Sequence, residues 1–166
     1  MKLSEIDSAQ LTGEIEKVLG AITDFLGIEL QYDYEIDAYE HKDGTERELL
    51  KIKLTGNNDS LLIGYHGKTL ESLQHLVSLG LSTAFKQVVR VVIDIGNYRD
   101  KRTSTLEGLA RRAGQQVEES GQEMELEPMN ASDRRIIHNV LMSEGKVITE
   151  SAGEGRDRRV VVKPKI

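Results

Sequence analysis

The strongest constraint on what this chain can fold into is a pair of alternating segments joined by an Asp-Gly turn. In the first, Ile28, Leu30, Tyr32, Tyr34 and Ile36 alternate with Glu29, Gln31, Asp33, Glu35 and Asp37. In the second, Leu50, Ile52 and Leu54 alternate with Lys51 and Lys53. Side chains of a strand point to opposite faces in turn, so each segment has one apolar and one charged face. Between them, His41-Lys42-Asp43-Gly44-Thr45 carries the Asp-Gly pair favoured in hairpin turns. The segments read as an antiparallel hairpin in which Lys51 and Lys53 face the acidic row and offset much of its charge.

Helical periodicity brackets this hairpin. Before it, Leu11, Ile15, Val18, Leu19, Ile22, Phe25 and Leu26 share one face, and Gly27 stops the run. After Gly56-Asn57-Asn58-Asp59 comes an apolar turn, Leu61-Leu62-Ile63, then Gly64-Tyr65-His66-Gly67-Lys68. A helix follows with Leu70, Leu73, Val77, Leu81 and Ala84 on one stripe, and the apolar run 88–95, broken by Arg90 and Asp94, reads as a covered strand. Gly96-Asn97 then punctuates the chain and is taken as a domain boundary. Beyond it, Leu106, Leu109, Ala110, Ala113 and Val117 mark a long helix, and Met124 and Leu126 a short strand ended by Pro128. Asn130 or Ser132 caps a further helix whose buried stripe is Ile136, Ile137, Val140 and Leu141. Two last strands, 146–151 and 158–163, enclose a glycine-containing loop. The fold class expected is α+β, with two domains over 9–97 and 98–166.

Charge first argues against nucleic acid as a partner, because the 166 residues carry a formal net charge of −6. The acidity is local, however: residues 1–48 hold 13 acids and 4 bases, and 49–166 hold 15 acids and 18 bases. The absence of cysteine excludes disulfides, zinc–thiolate sites and thiol nucleophiles. No apolar run approaches the roughly 20 residues of a membrane span, and no signal segment opens the chain, so a cytoplasmic protein is expected. The four histidines are too scattered to mark a metal site, and no cofactor is implied.

Two places carry chemistry. In Gly64-Tyr65-His66-Gly67 the glycines let backbone approach a ligand closely, the following helix N-terminus favours an anion, and Lys68 adds positive charge. The phosphate-cradling and dinucleotide glycine patterns are absent, which disfavours a nucleotide-hydrolysing enzyme. On the later helix Arg134 and His138 are four apart and share a face, with Arg135 beside them. Their donors suit phosphates, while the plainer reading pairs Arg134 with Glu127 or Asp133. Arg156, Arg158 and Arg159 either widen this patch or form a solvated hairpin edge. Arg99, Lys101 and Arg102 open the long helix against its dipole, as though placed for a phosphate.

Three stretches together resemble the bacterial Jag family, the SpoIIIJ-associated proteins that join a KH domain to an R-3-H domain. They are 62–74, running Leu-Ile-Gly-Tyr-His-Gly-Lys into the helix, 92–99, and 127–138, with Glu150-Ser151-Ala152-Gly153-Glu154-Gly155 near the end. The resemblance implies a type II KH domain of order α-β-β-α-α-β on a three-stranded sheet, then a small R-3-H domain of helices on a three-stranded sheet. It implies binding of single-stranded RNA, with Arg134 and His138 as the motif that names the second domain. With the reading of the residues themselves, the expected binding set is Gly64, Tyr65, His66, Gly67, Lys68, Arg134, Arg135 and His138, widened by Arg156, Arg158 and Arg159, with single-stranded DNA as an alternative ligand. It further implies no catalysis, partnership with a small single-KH protein, and RNA regulation linked to cell-envelope growth or division. The chain is expected to lack the family's N-terminal Jag domain. It departs from the family in holding Tyr65-His66 where Lys or Arg usually stands between the glycines. A protein-interaction adaptor with a degenerate KH platform is the alternative.

Overall fold

The computed structural model describes residues 2–41, 43–57 and 59–165, so Lys42 of the expected turn and Asn58 of the 56–59 loop lie outside the described residues. The chain divides into two compact units, one ending at Tyr98 and the other beginning at Arg99.

In the first unit, helix α1 (Ser8–Leu26) starts on an Asp7 cap, whose carboxylate accepts from the Gln10 amide, and stops at Gly27 in the left-handed conformation. Strands β1 (Leu30–Glu40) and β2 (Glu46–Gly56) then form the expected antiparallel hairpin, with Lys51 opposite Glu35 and Lys53 opposite Asp33. Lys51 pairs with both Glu35 and Asp37, so part of the acidic row is neutralised across the strand pair. The residues that local pattern alone reads as an apolar turn form a short helix, α2 (Asp59–Ile63), whose Leu62 is buried, and so supply the first of the two consecutive helices in the expected α-β-β-α-α-β order. The long helix α3 (Lys68–Phe85) carries the chain back to β3 (Val91–Ile95), which lies parallel to β2. A parallel pair needs such a crossover, and α2 with α3 supplies it. The sheet order is β1-β2-β3.

Leu11, Ile15 and Leu19 of α1, Leu50, Ile52 and Leu54 of β2, and Leu70, Leu73, Val77 and Leu81 of α3 close one core. Leu3 and Ile6 join it, held there because the Glu48 carboxylate accepts from the Leu3 and Ser4 amides and from the Ser4 hydroxyl. Two expectations fail at the margins. Phe25 is 88 % exposed despite its place on the apolar stripe, and Ala84 is exposed as well. The run expected to be strand from Val88 begins pairing only at Val91, because the Val89 backbone is bound by the Ser78 and Ser82 hydroxyls and Val88 stays exposed.

The second unit takes most of helix α4 (Tyr98–Ser120), then β4 (Met124–Glu125), α5 (Ala131–Glu144), β5 (Val147–Ala152) and β6 (Arg159–Pro164). Its antiparallel sheet has the order β4-β6-β5. Leu106, Ala110, Ala113 and Val117 of α4 pack with Ile137 and Leu141 of α5 and with Val160 and Val162 of β6. Asn130, not Ser132, caps α5, its side-chain oxygen accepting from the Asp133 amide. The architecture is thus α+β, with three strands and covering helices in each unit. Among the described residues no helix is long and apolar enough to cross a membrane, and no cluster of side chains could hold a metal ion.

Candidate nucleic-acid interface

The glycine loop forms a cradle at the start of α3. Gly64, His66 and Gly67 all have positive φ, at 66°, 53° and 79°. A Cβ on Gly64 would stand 2.0 Å from the Thr69 hydroxyl, and one on Gly67 would stand 2.9 Å from the Tyr98 ring. Both glycines are therefore demanded by conformation and by packing at once. The Gly64 amide donates to the Ser60 carbonyl, tying the loop back to α2. Between these fixed ends Tyr65 is 66 % exposed and meets His66 edge to face, with ring centres 4.0 Å apart. The Lys68 ammonium stands 5.6 Å from the centre of the Tyr65 ring. The loop thus offers an aromatic face backed by a cation, where Lys or Arg alone would offer only charge.

In the second unit α5 carries Arg134 and His138 on one face, as their spacing requires. Arg134 is paired with neither Glu127 nor Asp133: its Nη1 donates to the Met129 carbonyl at 2.7 Å. The Met129 amide in turn donates to the Arg158 carbonyl, so one residue ties the Arg134 guanidinium to the chain at Arg158. Asp133 is buried and accepts from Arg102, at 2.7 Å from its Nη2 and 3.1 Å from its Nε. Arg102 is therefore an internal anchor between α4 and α5, and not the phosphate ligand suggested by the basic start of α4.

The His138 ring lies between two hydroxyls of β5, Thr149 on Nδ1 at 2.7 Å and Ser151 on Nε2 at 3.1 Å. Partial burial, with a smaller contribution from Arg134, holds its imidazole below the ordinary value of 6.5. Sequence reasoning missed both hydroxyls. Their signal was there in Thr149 and Ser151 standing two apart on one strand face. Of the flanking arginines, Arg159 is drawn away from the patch, its Nε bound to Glu125 at 2.6 Å and its Nη1 to the Asp157 carbonyl. Arg135, Arg156 and Arg158 are exposed, and among the described residues no carboxylate pairs with them. The structure thus gathers Gly64, Tyr65, His66, Gly67 and Lys68 in one unit and the Arg134–His138 group with Arg158 in the other.

Comparison with known proteins follows this division. Residues 22–93 match the KhpA/KhpB KH domain family, and residues 104–164 match the R-3-H domain family. The chain carries a KhpA/KhpB-type KH domain and an R-3-H domain. That is the pairing expected from the Jag resemblance. Among similar proteins, RNA-binding protein KhpB of Clostridium symbiosum is 36 % identical over 148 residues, covering 89 % of this chain and 62 % of that protein. RNA-binding protein KhpB of Bacillus subtilis is 37 % identical over 121 residues, covering 72 % of this chain and 58 % of its own length. The Streptococcus pneumoniae protein of the same name is 28 % identical over 161 residues, covering 96 % of this chain and 46 % of its own. The chain thus spans about three fifths, or less, of the length of these relatives. The glycine loop lies within the matched KH domain and the Arg134–His138 face within the matched R-3-H domain.

Proposed function

We propose that this protein binds single-stranded RNA, and single-stranded DNA as well, through two sites and performs no chemistry on it. The KH half, over residues 9–97, takes RNA at Gly64-Tyr65-His66-Gly67-Lys68. The R-3-H half, over 98–166, grips phosphates with the group built around Arg134, Arg135, His138, Arg156 and Arg158. The observation that carries the reading is the 64–67 loop: Thr69 and Tyr98 leave no room for a side chain at either glycine, while the aromatic middle is exposed beside the start of α3. A helix start has unpaired amides and a positive dipole end, which suit a phosphate, and Tyr65 suits an unstacked base. The names of the KhpB relatives support the same reading. The biological setting that goes with it is a cytoplasmic regulator of RNA linked to envelope growth or division, working with a small single-KH protein.

Substituting the glycines would test folding rather than binding, because either Cβ collides with Thr69 or Tyr98. The informative variant is Tyr65→Asp with His66→Asp, since Asp tolerates the left-handed backbone at position 66. In a gel-shift titration with single-stranded RNA it lowers affinity about tenfold or more at unchanged thermal midpoint, as two charges facing a phosphate should. Arg135→Ala with Arg158→Ala lowers it separately. Unchanged affinity in both double variants would sink the reading. One observation favours the adaptor instead: Asp33 and Glu35 are exposed on β1, which has a single strand neighbour and so an open outer edge. Recovery of protein partners without any RNA crosslink would decide for it.

A further inference from the structure

The two contacts of the His138 ring have a direction. A neutral imidazole has one N–H and one bare nitrogen, so of two flanking hydroxyls one must donate to the ring and the other must accept from it. The accepting hydroxyl keeps its own proton for a third group. Distance and burial favour one order. Hydroxyl-donated bonds to oxygen centre on about 2.7–2.8 Å and N–H···O bonds on about 2.9–3.0 Å, so a hydroxyl donor is the better match to the shorter contact. The shorter Thr149 contact, at 2.7 Å, fits a hydroxyl donating to Nδ1, and the longer Ser151 contact, at 3.1 Å, fits an Nε2–H donor. Burial agrees with this order, because Thr149 is half-buried and Ser151 is exposed. The proton left over sits at the surface end of the chain, and Ser151 has no second partner among the described residues. Arg134, one turn before His138 on the same helix face, adds a positive charge beside it.

We propose that Ser151 is a phosphodiester ligand of the R-3-H domain, a hydroxyl donor whose proton is turned outward by a Thr149–His138 relay, so that His138 acts on the nucleic acid through Ser151. This rests on the nucleic-acid reading of the R-3-H half and deepens it. Hydrogen bonds in series polarise one another, so the outermost donor is stronger than an isolated serine. His138 and Thr149 are then positioning residues, and the group that touches phosphate is one that neither the Arg-x-x-x-His spacing nor the basic patch names. The arrangement also accounts for a half-buried histidine in a site meant for anions: its work is to aim a hydroxyl, which needs the neutral ring.

The test uses the full chain with a single-stranded RNA and a single-stranded DNA of the same base sequence. Ser151→Ala is expected to weaken both about tenfold, the loss of one hydrogen bond to a charged group. Ser151→Thr restores binding, which a loss due only to general structural damage would not predict. Nitrogen-15 spectra of the imidazole are expected to show His138 protonated on Nε2, and Thr149→Val is expected to disturb that tautomer and weaken binding with Ser151 intact. Parent-like affinity in Ser151→Ala overturns the proposal; if Arg135→Ala with Arg158→Ala still weakens binding, the nucleic-acid reading survives. A loss confined to RNA makes the ribose hydroxyl the partner and overturns the phosphate assignment. A proton on Nδ1 overturns the relay, and a parent chain that binds neither strand overturns both readings.

Discussion

Among single residues, His138 links stability to acidity. Burial and Arg134 hold its folded-state imidazole below 6.5, while the unfolded chain keeps an ordinary imidazole. As pH falls, the unfolded state takes up a proton first, so stability rises with pH across this window. The contribution is fully present above about 6.5 and is lost as pH falls through the depressed folded value. All five tyrosines lie at or before Tyr98, so tyrosine signals do not report on the second unit. Amide exchange at Ile137 and Val162, both buried in its core, does. Their protection is expected to drop on going from about pH 7.5 to about pH 5.5, and His138→Gln should flatten that drop. An equally steep drop in the variant would assign the acid sensitivity to other groups.

Among helices and strands, the hairpin and the helical stripes were largely legible and their edges were not. Alternation and the Asp-Gly pair specify β1 and β2 because register and turn chemistry reinforce each other. Periodicity specifies the direction in which a helical side chain points, but not whether anything extends far enough to cover it. Phe25 lies on the same stripe as Ile15 and Leu19, yet those two are buried and Phe25 is not. Phe25→Ser is accordingly expected to change stability by less than about 0.5 kcal/mol, whereas Ile15→Ala should cost about 2–5 kcal/mol. Urea unfolding followed by tyrosine fluorescence measures both, and comparable losses would show Phe25 packed. In the candidate sites, the spacing of Gly64 with Gly67 and of Arg134 with His138 was readable. The partners were not: Tyr98 and Thr149 come from other elements, and Thr69 and Met129, each five residues away, meet their partners only through the turn at a helix start, which periodicity does not record. Likewise, Arg102 and Asp133 are 31 positions apart, and only packing of α4 on α5 makes them a pair.

Across the chain as a whole, the formal charge of −6 averages over a first 48 residues that are acidic and a remainder that is mildly basic. Such a field offers little long-range attraction for an anion, so affinity must come from placed donors. Lys68, Arg135, Arg156 and Arg158 are the site cations held by neither a carboxylate nor a carbonyl among the described residues, whereas Arg134 is spent on the Met129 carbonyl. Four phosphate contacts on a single strand correspond to a slope of about −3 in log affinity against log salt. A titration series over increasing potassium chloride measures it. A slope near zero would remove phosphates from the contact, and one of about −8 would require cations beyond these four.

The cradle at 64–67 has a consequence for how such a protein can diverge. Its two glycine positions are closed to change by Thr69 and Tyr98, and position 66 admits only side chains that accept a left-handed backbone. Position 65 alone is unconstrained by shape. A lineage carrying this frame can therefore exchange an aromatic for a basic or amide side chain there by one residue substitution, altering what is held without refolding the holder.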